Sequence, residues 1–313
     1  MELRKDYILN RWVIISEARG KRPFQFVEDK TDLNVKCPFC VGNESMTPNE
    51  TYKLEKDGKW QIRAVPNKFS AVDPNGGTLI STHNTYYTFA GDHGEHEVVI
   101  ETPDHGKHFG DLTCEEMIAV MNAYKLRINE FEKESNTKYV CVFKNQGKEA
   151  GASVNHAHSQ IIALAMTPPI LNEKIETIKK YPHCPYCEII SKEKDSYRRC
   201  FENDSFVAFT PYASRFNYEI WVMPKKHLKT FNEFDYKTYY DLSLILKEIS
   251  LKLESKGISY NIEWYYSPKG EELHFHIEIM PRIALWAGFE IGYGITINSI
   301  SPEIAAKFYR GEE

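Results

Sequence analysis

The chain of 313 residues lacks any apolar run of the roughly 18 residues that a transmembrane helix requires. Its first ten residues, MELRKDYILN, contain neither an apolar stretch nor a small-residue cleavage site, so no secretory signal is predicted. An excess of positive charge is also missing, since the net charge is −5, and this disfavours non-specific nucleic-acid binding. We therefore expect a cytoplasmic globular protein with no membrane partner and no nucleic-acid partner.

Cysteine is scarce, with seven residues, but four of them form two Cys-Pro-aromatic-Cys motifs at 37–40 and 184–187. In a reducing compartment such motifs bind metal or do redox chemistry more often than they form structural disulfides. A thioredoxin-type site needs a buried strand directly before the motif, and neither DLNVK nor KKYPH has that pattern. We interpret both motifs as metal-binding.

The two halves of the chain repeat the same order of motifs. Each half has CxxC, a strand pattern ending in proline, a histidine, a helix pattern, a strand and then HxH. ETPDHGKHFGDL (101–112) matches VMPKKHLKTFNEF (222–234), and HAH (156–158) matches HFH (274–276). We predict an α+β protein of two consecutive units, 1–170 and 171–313, each with a mostly antiparallel sheet and one long helix. The two sheets could merge into one half-barrel.

The helix of each half has a clear pattern. Thr113 and Glu116 fit a capping box ahead of one apolar stripe, and Gly257 closes the other. The stripes are Met117, Met121, Tyr124, Ile128 and Phe131 in the first half and Leu242, Ile245, Ile249 and Leu253 in the second.

Each CxxC motif is matched by two histidines of its own half. Zinc takes tetrahedral cysteine and histidine ligands, so two closed sites are predicted. The proposed ligands are Cys37, Cys40, His105 and His156 in the first half and Cys184, Cys187, His227 and His274 in the second. The alternative is a set of buried free cysteines beside hydrogen-bonded histidines.

Residues 143–162, FKNQGKEAGASVNHAHSQII, combine a small-residue loop with an HxHxQ strand. Alternation along the strand puts His156, His158 and Gln160 on one face. Backbone amides of the loop and the hydroxyl of Ser153 could bind phosphate oxygens. The alternative for His158 is a hydrogen-bonded core histidine. We interpret His96 as a loop or surface residue that could lie near the cleft.

These motifs resemble the transferase branch of the histidine-triad superfamily, typified by the galactose-1-phosphate uridylyltransferase family. RWVIISEARGKRP (11–23) is similar to the family's nucleotide-contacting segment, VPNKF (65–69) to its base- and ribose-contacting stretch, PDH (103–105) to its third zinc ligand, and AGFE (287–290) with SPEIAAKFYR (301–310) to its C-terminal end. The residues to which the resemblance assigns substrate or catalytic roles are Arg19, Arg22, Asn67, Asn145, Ser153, His158, Gln160 and Asn298. Gly151 belongs to the phosphate-binding loop, and Glu290 is either a ligand of sugar hydroxyls or a surface charge.

The resemblance implies two tandem histidine-triad-like units, bound zinc and a homodimer. It also implies nucleotidyl transfer from a nucleotide sugar to a sugar 1-phosphate by a ping-pong reaction, in which His158 carries the nucleotide covalently. Gln160 stands where hydrolases of the superfamily have a third histidine. Uridylyl transfer from UDP-glucose to galactose 1-phosphate is the favoured reaction. A non-catalytic, zinc-stabilised nucleotide-binding protein is a further alternative.

The chain departs from the family pattern at two points. Ala157 replaces the usual proline between the two histidines. The cysteine-containing second site and the tail GFEIGYGITIN (288–298) look closer to relatives described as ADP-glucose phosphorylases, which use inorganic phosphate as the acceptor. Iron in place of zinc is an open possibility for the second site.

Overall fold

The structure is a computed structural model that describes residues 2–5, 12–15, 36–294 and 296–312. In this part of the chain there are fourteen strands and six α-helices. The strands are β1 (Glu2–Lys5), β2 (Trp12–Ile15), β3 (Tyr52–Lys56), β4 (Lys59–Pro66), β5 (Ile80–Thr82), β6 (Thr88–Ala90), β7 (Gly94–Ile100), β8 (Tyr139–Gln146), β9 (His158–Leu164), β10 (Arg199–Glu202), β11 (Phe206–Phe209), β12 (Ile220–Pro224), β13 (Tyr260–Tyr265) and β14 (His276–Pro281). The helices are α1 (Cys114–Phe131), α2 (Pro169–Ile178), α3 (Pro185–Glu193), α4 (Tyr236–Ser255), α5 (Gly288–Tyr293) and α6 (Pro302–Arg310).

Ten strands form one antiparallel sheet in the order β10-β11-β12-β14-β13-β8-β9-β7-β4-β3. The first half of the chain contributes β3-β4-β7-β9-β8, and the second half contributes β10-β11-β12-β14-β13 in the matching order. The two sets meet where β8 pairs with β13, with Asn145 opposite Asn261. The predicted repeat is therefore a structural one, and its two sheets are merged.

The remaining four strands form a separate sheet in the order β2-β1-β6-β5. Within the described ranges no sheet closes into a barrel. The α+β prediction is confirmed, whereas a unit boundary at residue 170 remains a prediction.

The two long helices begin and end where the sequence indicates. The Thr113 side chain accepts from the Glu116 backbone amide, and the Glu116 carboxylate accepts from the Thr113 amide, which completes the predicted capping box before α1. Asp235 caps α4 by accepting from the Thr238 amide. After α4, Gly257 has a φ of +66°, a conformation that L-residues with a side chain rarely adopt.

The main core lies between the sheet and the pair α1 and α4, and both predicted apolar stripes are buried in it. On the other face of the sheet, a smaller apolar cluster surrounds the first CxxC motif. It consists of Cys37, Phe39, Trp60, Val65, Val98 and Ile100. Among the helices that the structure describes, none combines the length and apolarity needed to cross a bilayer.

Candidate active site and metal centres

Strand β9 places His158 and Gln160 on the face of the sheet opposite α1. His158 is 5% exposed and Gln160 3% exposed. Ser159, between them, points the other way and bonds to Tyr124 of α1. The predicted alternation is confirmed. It arises because β9 is an extended, pleated strand that pairs antiparallel with β7 on one side and β8 on the other.

The ring of His158 is held in one tautomer. Its Nδ1 lies 2.8 Å from the carbonyl oxygen of His156, which can only accept, so Nδ1 carries the proton. In the neutral ring, Nε2 therefore carries the lone pair. The Phe39 ring of the CPFC motif packs against this imidazole, with ring centroids 5.4 Å apart. Such a nitrogen can attack an electrophilic phosphorus without a general base.

His96 is a site residue that the sequence analysis interpreted wrongly as a loop or surface residue. It lies on β7 and is 2% exposed. The backbone amide of Ala71 donates to Nδ1 of His96, so Nε2 carries the proton and donates to Gln160 Oε1 at 3.0 Å. This bond orients the Gln160 amide and leaves its NH2 group as a donor. Asn67, another predicted residue, lies beside this ring and accepts through Oδ1 from the Phe69 backbone amide at 2.9 Å.

The first predicted metal cluster is assembled. Ligand atoms of Cys37, Cys40, His105 and His156 all lie within 4.8 Å of one another. Cys40 Sγ is 3.3 Å from His105 Nδ1 and 3.7 Å from His156 Nδ1. On the far side of its ring, His156 Nε2 donates to the carbonyl oxygen of Thr102 at 2.7 Å. This second bond leaves Nδ1 as the ligand atom, an arrangement common for metal-binding histidines.

The second predicted cluster repeats this geometry with Cys184, Cys187, His227 and His274. Cys187 Sγ is 3.4 Å from His227 Nδ1 and 3.5 Å from His274 Nδ1. The His274 Nε2 donates to the carbonyl oxygen of Pro224 at 2.9 Å. The carbonyl partners, Thr102 and Pro224, occupy equivalent positions of the repeat.

The donor set of both clusters fits a tetrahedral ion. With bonds of about 2.3 Å to sulfur and about 2.1 Å to nitrogen, a tetrahedral centre separates S and N ligands by roughly 3.6 Å. The S–N distances of 3.3–3.9 Å in the two clusters bracket that value. Without an ion, burial raises the pKa of Cys37 and of Cys187 to about 11. Metal binding must then displace thiol protons, so ion uptake stabilises the thiolates and links the CxxC loops to the sheet.

Comparison with known proteins decides the family. A family model described as "Galactose-1-phosphate uridyl transferase, N-terminal domain" matches residues 1–168, and a second, "Domain of unknown function (DUF4921)", matches residues 88–308. An ADP-glucose phosphorylase from Arabidopsis thaliana is 35% identical over 99% of this chain and 92% of that protein. The chain belongs to the galactose-1-phosphate uridylyltransferase family. The prediction of a nucleotidyltransferase enzyme is thereby confirmed.

Two further relatives span the whole chain. A galactose-1-phosphate uridylyltransferase from Thermotoga maritima is 28% identical over 100% of this chain and 99% of that protein. A crystal structure of an ADP-glucose phosphorylase from Arabidopsis thaliana with bound ADP-glucose superimposes with a TM-score of 0.77 at 33% identity, covering 99% of this chain and 98% of that one. The chain is therefore similar over its whole length to a galactose-1-phosphate uridylyltransferase and to an ADP-glucose phosphorylase.

Three other predicted residues lie on β8 or between β8 and β9. Asn145 lies on β8 and accepts through Oδ1 from Asn261 Nδ2 at 2.8 Å. Continuing the register of β8 and β9 by two residues beyond Phe143–Gln160 puts Asn145 opposite His158. Gly151 has a φ of +82°, which suits glycine, and it ends a short 3₁₀ turn ahead of the buried Ser153. The loop that carries Gly151 and Ser153 therefore leads from the end of β8, where Asn145 lies, to the start of β9.

Glu290 and Asn298 make bonds elsewhere. The Glu290 carboxylate accepts from the Ala287 amide at the start of α5. Asn298 donates through Nδ2 to the carbonyl oxygen of Ser214 at 2.9 Å, which ties the C-terminal segment to the loop before β12. Their substrate roles stay predictions. Arg19 and Arg22 lie outside the described residues.

The second half contains a closed counterpart of the candidate site. His276, at the position of His158, has its Nδ1 2.8 Å from the His274 carbonyl oxygen. Its Nε2 accepts from Lys174 Nζ of α2 at 2.7 Å, and the same ammonium donates to Glu278, at the position of Gln160. His276 is 0% exposed. The Lys174 ammonium thus binds the Nε2 lone pair of His276, the nitrogen equivalent to Nε2 of His158.

Proposed function

We propose that the chain transfers a nucleoside monophosphate from a nucleotide sugar to a second phosphate compound through a covalent nucleotidyl-histidine on His158. The observation that carries the proposal is the imidazole held with its proton on Nδ1. In the first step Nε2 bonds to the α-phosphorus, and the bond to the leaving sugar 1-phosphate breaks with its electron pair on the leaving oxygen. In the second step an acceptor phosphate oxygen displaces the ring nitrogen, which gives ping-pong kinetics.

The residues around His158 would bind and orient the phosphate groups. The NH2 group of Gln160, oriented by His96, would donate to a non-bridging oxygen, as would the Ser153 hydroxyl. Gly151, whose own amide donates to the Lys148 carbonyl oxygen, would let the loop backbone approach the phosphate closely. Each well-aimed donor of this kind is worth about 3 kcal/mol in the transition state. Asn145 is proposed as a further donor.

The remaining substrate contacts are proposed from the resemblance. They are ribose or base contact by Asn67, forked phosphate contact by Arg19 and Arg22, and sugar contact by Glu290 and Asn298.

Zinc is the proposed ion of both clusters, with iron as the alternative for the second, because four cysteine and histidine donors close each site. Cys37, Cys40, His105 and His156 would hold the ion of the first cluster, whose role would be anchoring. His156 lies two residues before His158, so an ion bound there would help to fix the nucleophile.

Two acceptor reactions are proposed in order. The first candidate is uridylyl transfer from UDP-glucose to galactose 1-phosphate, which the family and the full-length Thermotoga maritima relative support. The second candidate is phosphorolysis of ADP-glucose, supported by the Arabidopsis thaliana relative at 35% identity. Both use the same covalent intermediate and differ in base and acceptor.

A labelling experiment tests the proposal. The protein is incubated separately with UDP-glucose and ADP-glucose carrying ³²P at the α-phosphorus, and protein-bound, acid-labile label is measured. We expect one sugar nucleotide to label the wild type and the exposed-histidine control His83→Ala, and His158→Ala to take up no label. Galactose 1-phosphate or inorganic phosphate should then discharge the label. Binding without label or turnover would favour the non-catalytic alternative, and equal labelling of His158→Ala would refute the assigned nucleophile.

Assembly, division into units and location are proposed with the function. A homodimer is supported by a strongly exposed apolar segment containing Leu285, Ile291 and Tyr293, which are 78%, 68% and 77% exposed. Sedimentation velocity should give twice the 36.4 kDa mass of the chain.

A boundary near residue 170 is supported by α2, which begins at Pro169 between the two sets of strands. A cytoplasmic location is supported by seven cysteines that form no disulfide with one another.

A further inference from the structure

A buried polar network lies directly behind the strand that carries His158. Lys144 of β8 donates through Nζ to Glu101 Oε2 at 2.7 Å and to the carbonyl oxygen of His158 at 3.1 Å. The side chains of Lys144 and Glu101 are 1% and 0% exposed. The Ser159 hydroxyl donates to the other carboxylate oxygen, Oε1, and the Tyr124 hydroxyl lies within hydrogen-bond distance of both Oε1 and the Ser159 oxygen. The last residue pair that β8 and β9 form at this end is Phe143–Gln160. The bond from the Lys144 ammonium to the His158 carbonyl oxygen lies just beyond this pair and joins the two strands there.

Backbone atoms of Glu101 and Thr102 also bond to the two residues before His158, Ala157 and His156. The backbone amide of Glu101 donates to the carbonyl oxygen of Ala157 at 3.2 Å. The carbonyl oxygen of Thr102 accepts from the ring of His156 at 2.7 Å. Together with the lysine contact, these bonds give every residue from 156 to 159 a fixed partner.

The second half has the same backbone but none of these polar groups. The strand registers and the helix N-caps of the two halves show which residues occupy equivalent positions. The positions of Glu101, Lys144, Ser159 and Tyr124 are taken by Met223, Trp264, Ile277 and Leu246, all of them buried. Apolar replacement of a buried ion pair is often neutral or stabilising, because the pair must be desolvated. Stability therefore does not explain why the polar set is present in the half with HxHxQ.

We propose that Glu101 and Lys144, supported by Ser159 and Tyr124, are positioning residues for nucleotidyl transfer by His158. The inference deepens the proposed function and rests on it. When the Nε2–P bond forms and the sugar 1-phosphate leaves, the Nδ1 proton stays in place and the ring becomes cationic. The charges of Glu101 and Lys144 cancel. The pair can therefore hold the backbone of His158 in place without placing a net charge behind the ring.

The test uses the second half as a template. Glu101→Met/Lys144→Met replaces the ion pair with side chains of the kind that the other half buries. We expect a urea midpoint at or above that of the wild type, unchanged metal content, a kcat 10- to 100-fold lower and a KM within about twofold, since small misplacement of a reacting group costs that much. Arg127→Met is the matched control: it removes an ion pair with Glu97 that joins α1 to β7, and should lower stability without lowering kcat.

Each outcome of the test decides the proposal. A folded double variant with the wild-type kcat overturns it. If the double variant does not fold, Ser159→Ala and Tyr124→Phe each remove one hydroxyl and keep the ion pair. A lower kcat at constant KM in these variants supports the network, and a wild-type kcat in both overturns it.

A second measurement separates this proposal from the proposed function. Imidazole ¹H–¹⁵N spectra of His158 need no substrate. We expect a single Nδ1–H tautomer in the wild type and a mixture in the double variant, and an unchanged single tautomer would overturn the network. A wild-type chain that transfers no nucleotide refutes the proposed function, while the spectra still decide whether the network positions the ring.

Discussion

Glu263 gives the most direct test of the electrostatics in the second half. It lies on β13 near the carboxylate of Glu278 and the cations Lys174 and Arg215. Burial, and after it the charge of Glu278, raise the pKa of Glu263 from 4.5 to about 8, although the two cations act to lower it. At pH 7 the folded chain therefore holds a proton that the unfolded chain releases.

The sign of the effect on stability follows from proton linkage. A group with a raised folded pKa makes its full contribution to stability below the unfolded pKa and loses it as the pH rises to the folded pKa. Between pH 4.5 and 8, the unfolding free energy should fall by up to about 1.4 kcal/mol per pH unit because of Glu263 alone. Glu263→Gln retains a neutral side chain of similar shape and removes the titration. We expect the unfolding free energy of the variant to match that of the wild type within about 1 kcal/mol at pH 5 and to exceed it by roughly 4 kcal/mol at pH 8.

Urea unfolding at pH 5, 6, 7 and 8 measures this difference. Glu248→Gln on the exposed surface of α4 is the matched control, and its difference from the wild type should not change with pH. A Glu263→Gln difference that stays constant from pH 5 to pH 8 would refute the reasoning, because it would mean that folding does not change the proton affinity of this carboxyl group.

Three further outcomes are expected. Lys174→Met removes the donor to His276 and leaves a buried acceptor without its bond, so the unfolding free energy should fall by about 2 kcal/mol in urea titrations; an unchanged value would contradict the closed counterpart. Cys187→Ala should lower the metal content measured by plasma mass spectrometry by one ion per chain and keep nucleotidyl transfer; loss of both ions would contradict independent sites. Asn261→Leu removes the donor that orients Asn145, so kcat should fall about tenfold at constant KM; a wild-type kcat would exclude that role.

Both Cys2His2 clusters were accessible to sequence analysis because their ligands belong to scarce residue types and recur in one order in the two halves. Cys37 and His156 are 119 residues apart, and no local spacing rule would join them. The second copy supplied the missing information, since Cys184 and His274 repeat the relation. The long helices were equally readable, because a capping box and an apolar stripe are local patterns.

The polar contacts behind and beside His158 could not be predicted in the same way. Glu101 and Lys144 are 43 residues apart and meet only because β7 and β8 both flank β9. His96 looked like a surface residue because its neighbours in sequence are polar. Pairing of β7 with β9 turns its ring toward Gln160, a partner 64 residues away. Such contacts depend on strand register, which short-range patterns do not encode.

The two halves also separate what the fold supplies from what individual side chains supply. His158 and His276 stand on equivalent strands, and each has its Nδ1 2.8 Å from the carbonyl oxygen two residues earlier. The backbone therefore places a proton on Nδ1 of both rings. In the second half Lys174 occupies the lone pair and Glu278 replaces the amide of Gln160, so an incoming phosphate would meet a blocked nitrogen and a negative charge. An accessible site at His158 and a blocked ring at His276 thus require no difference in fold. Exchanging side chains between equivalent positions of the two halves is the direct way to measure what each side chain contributes.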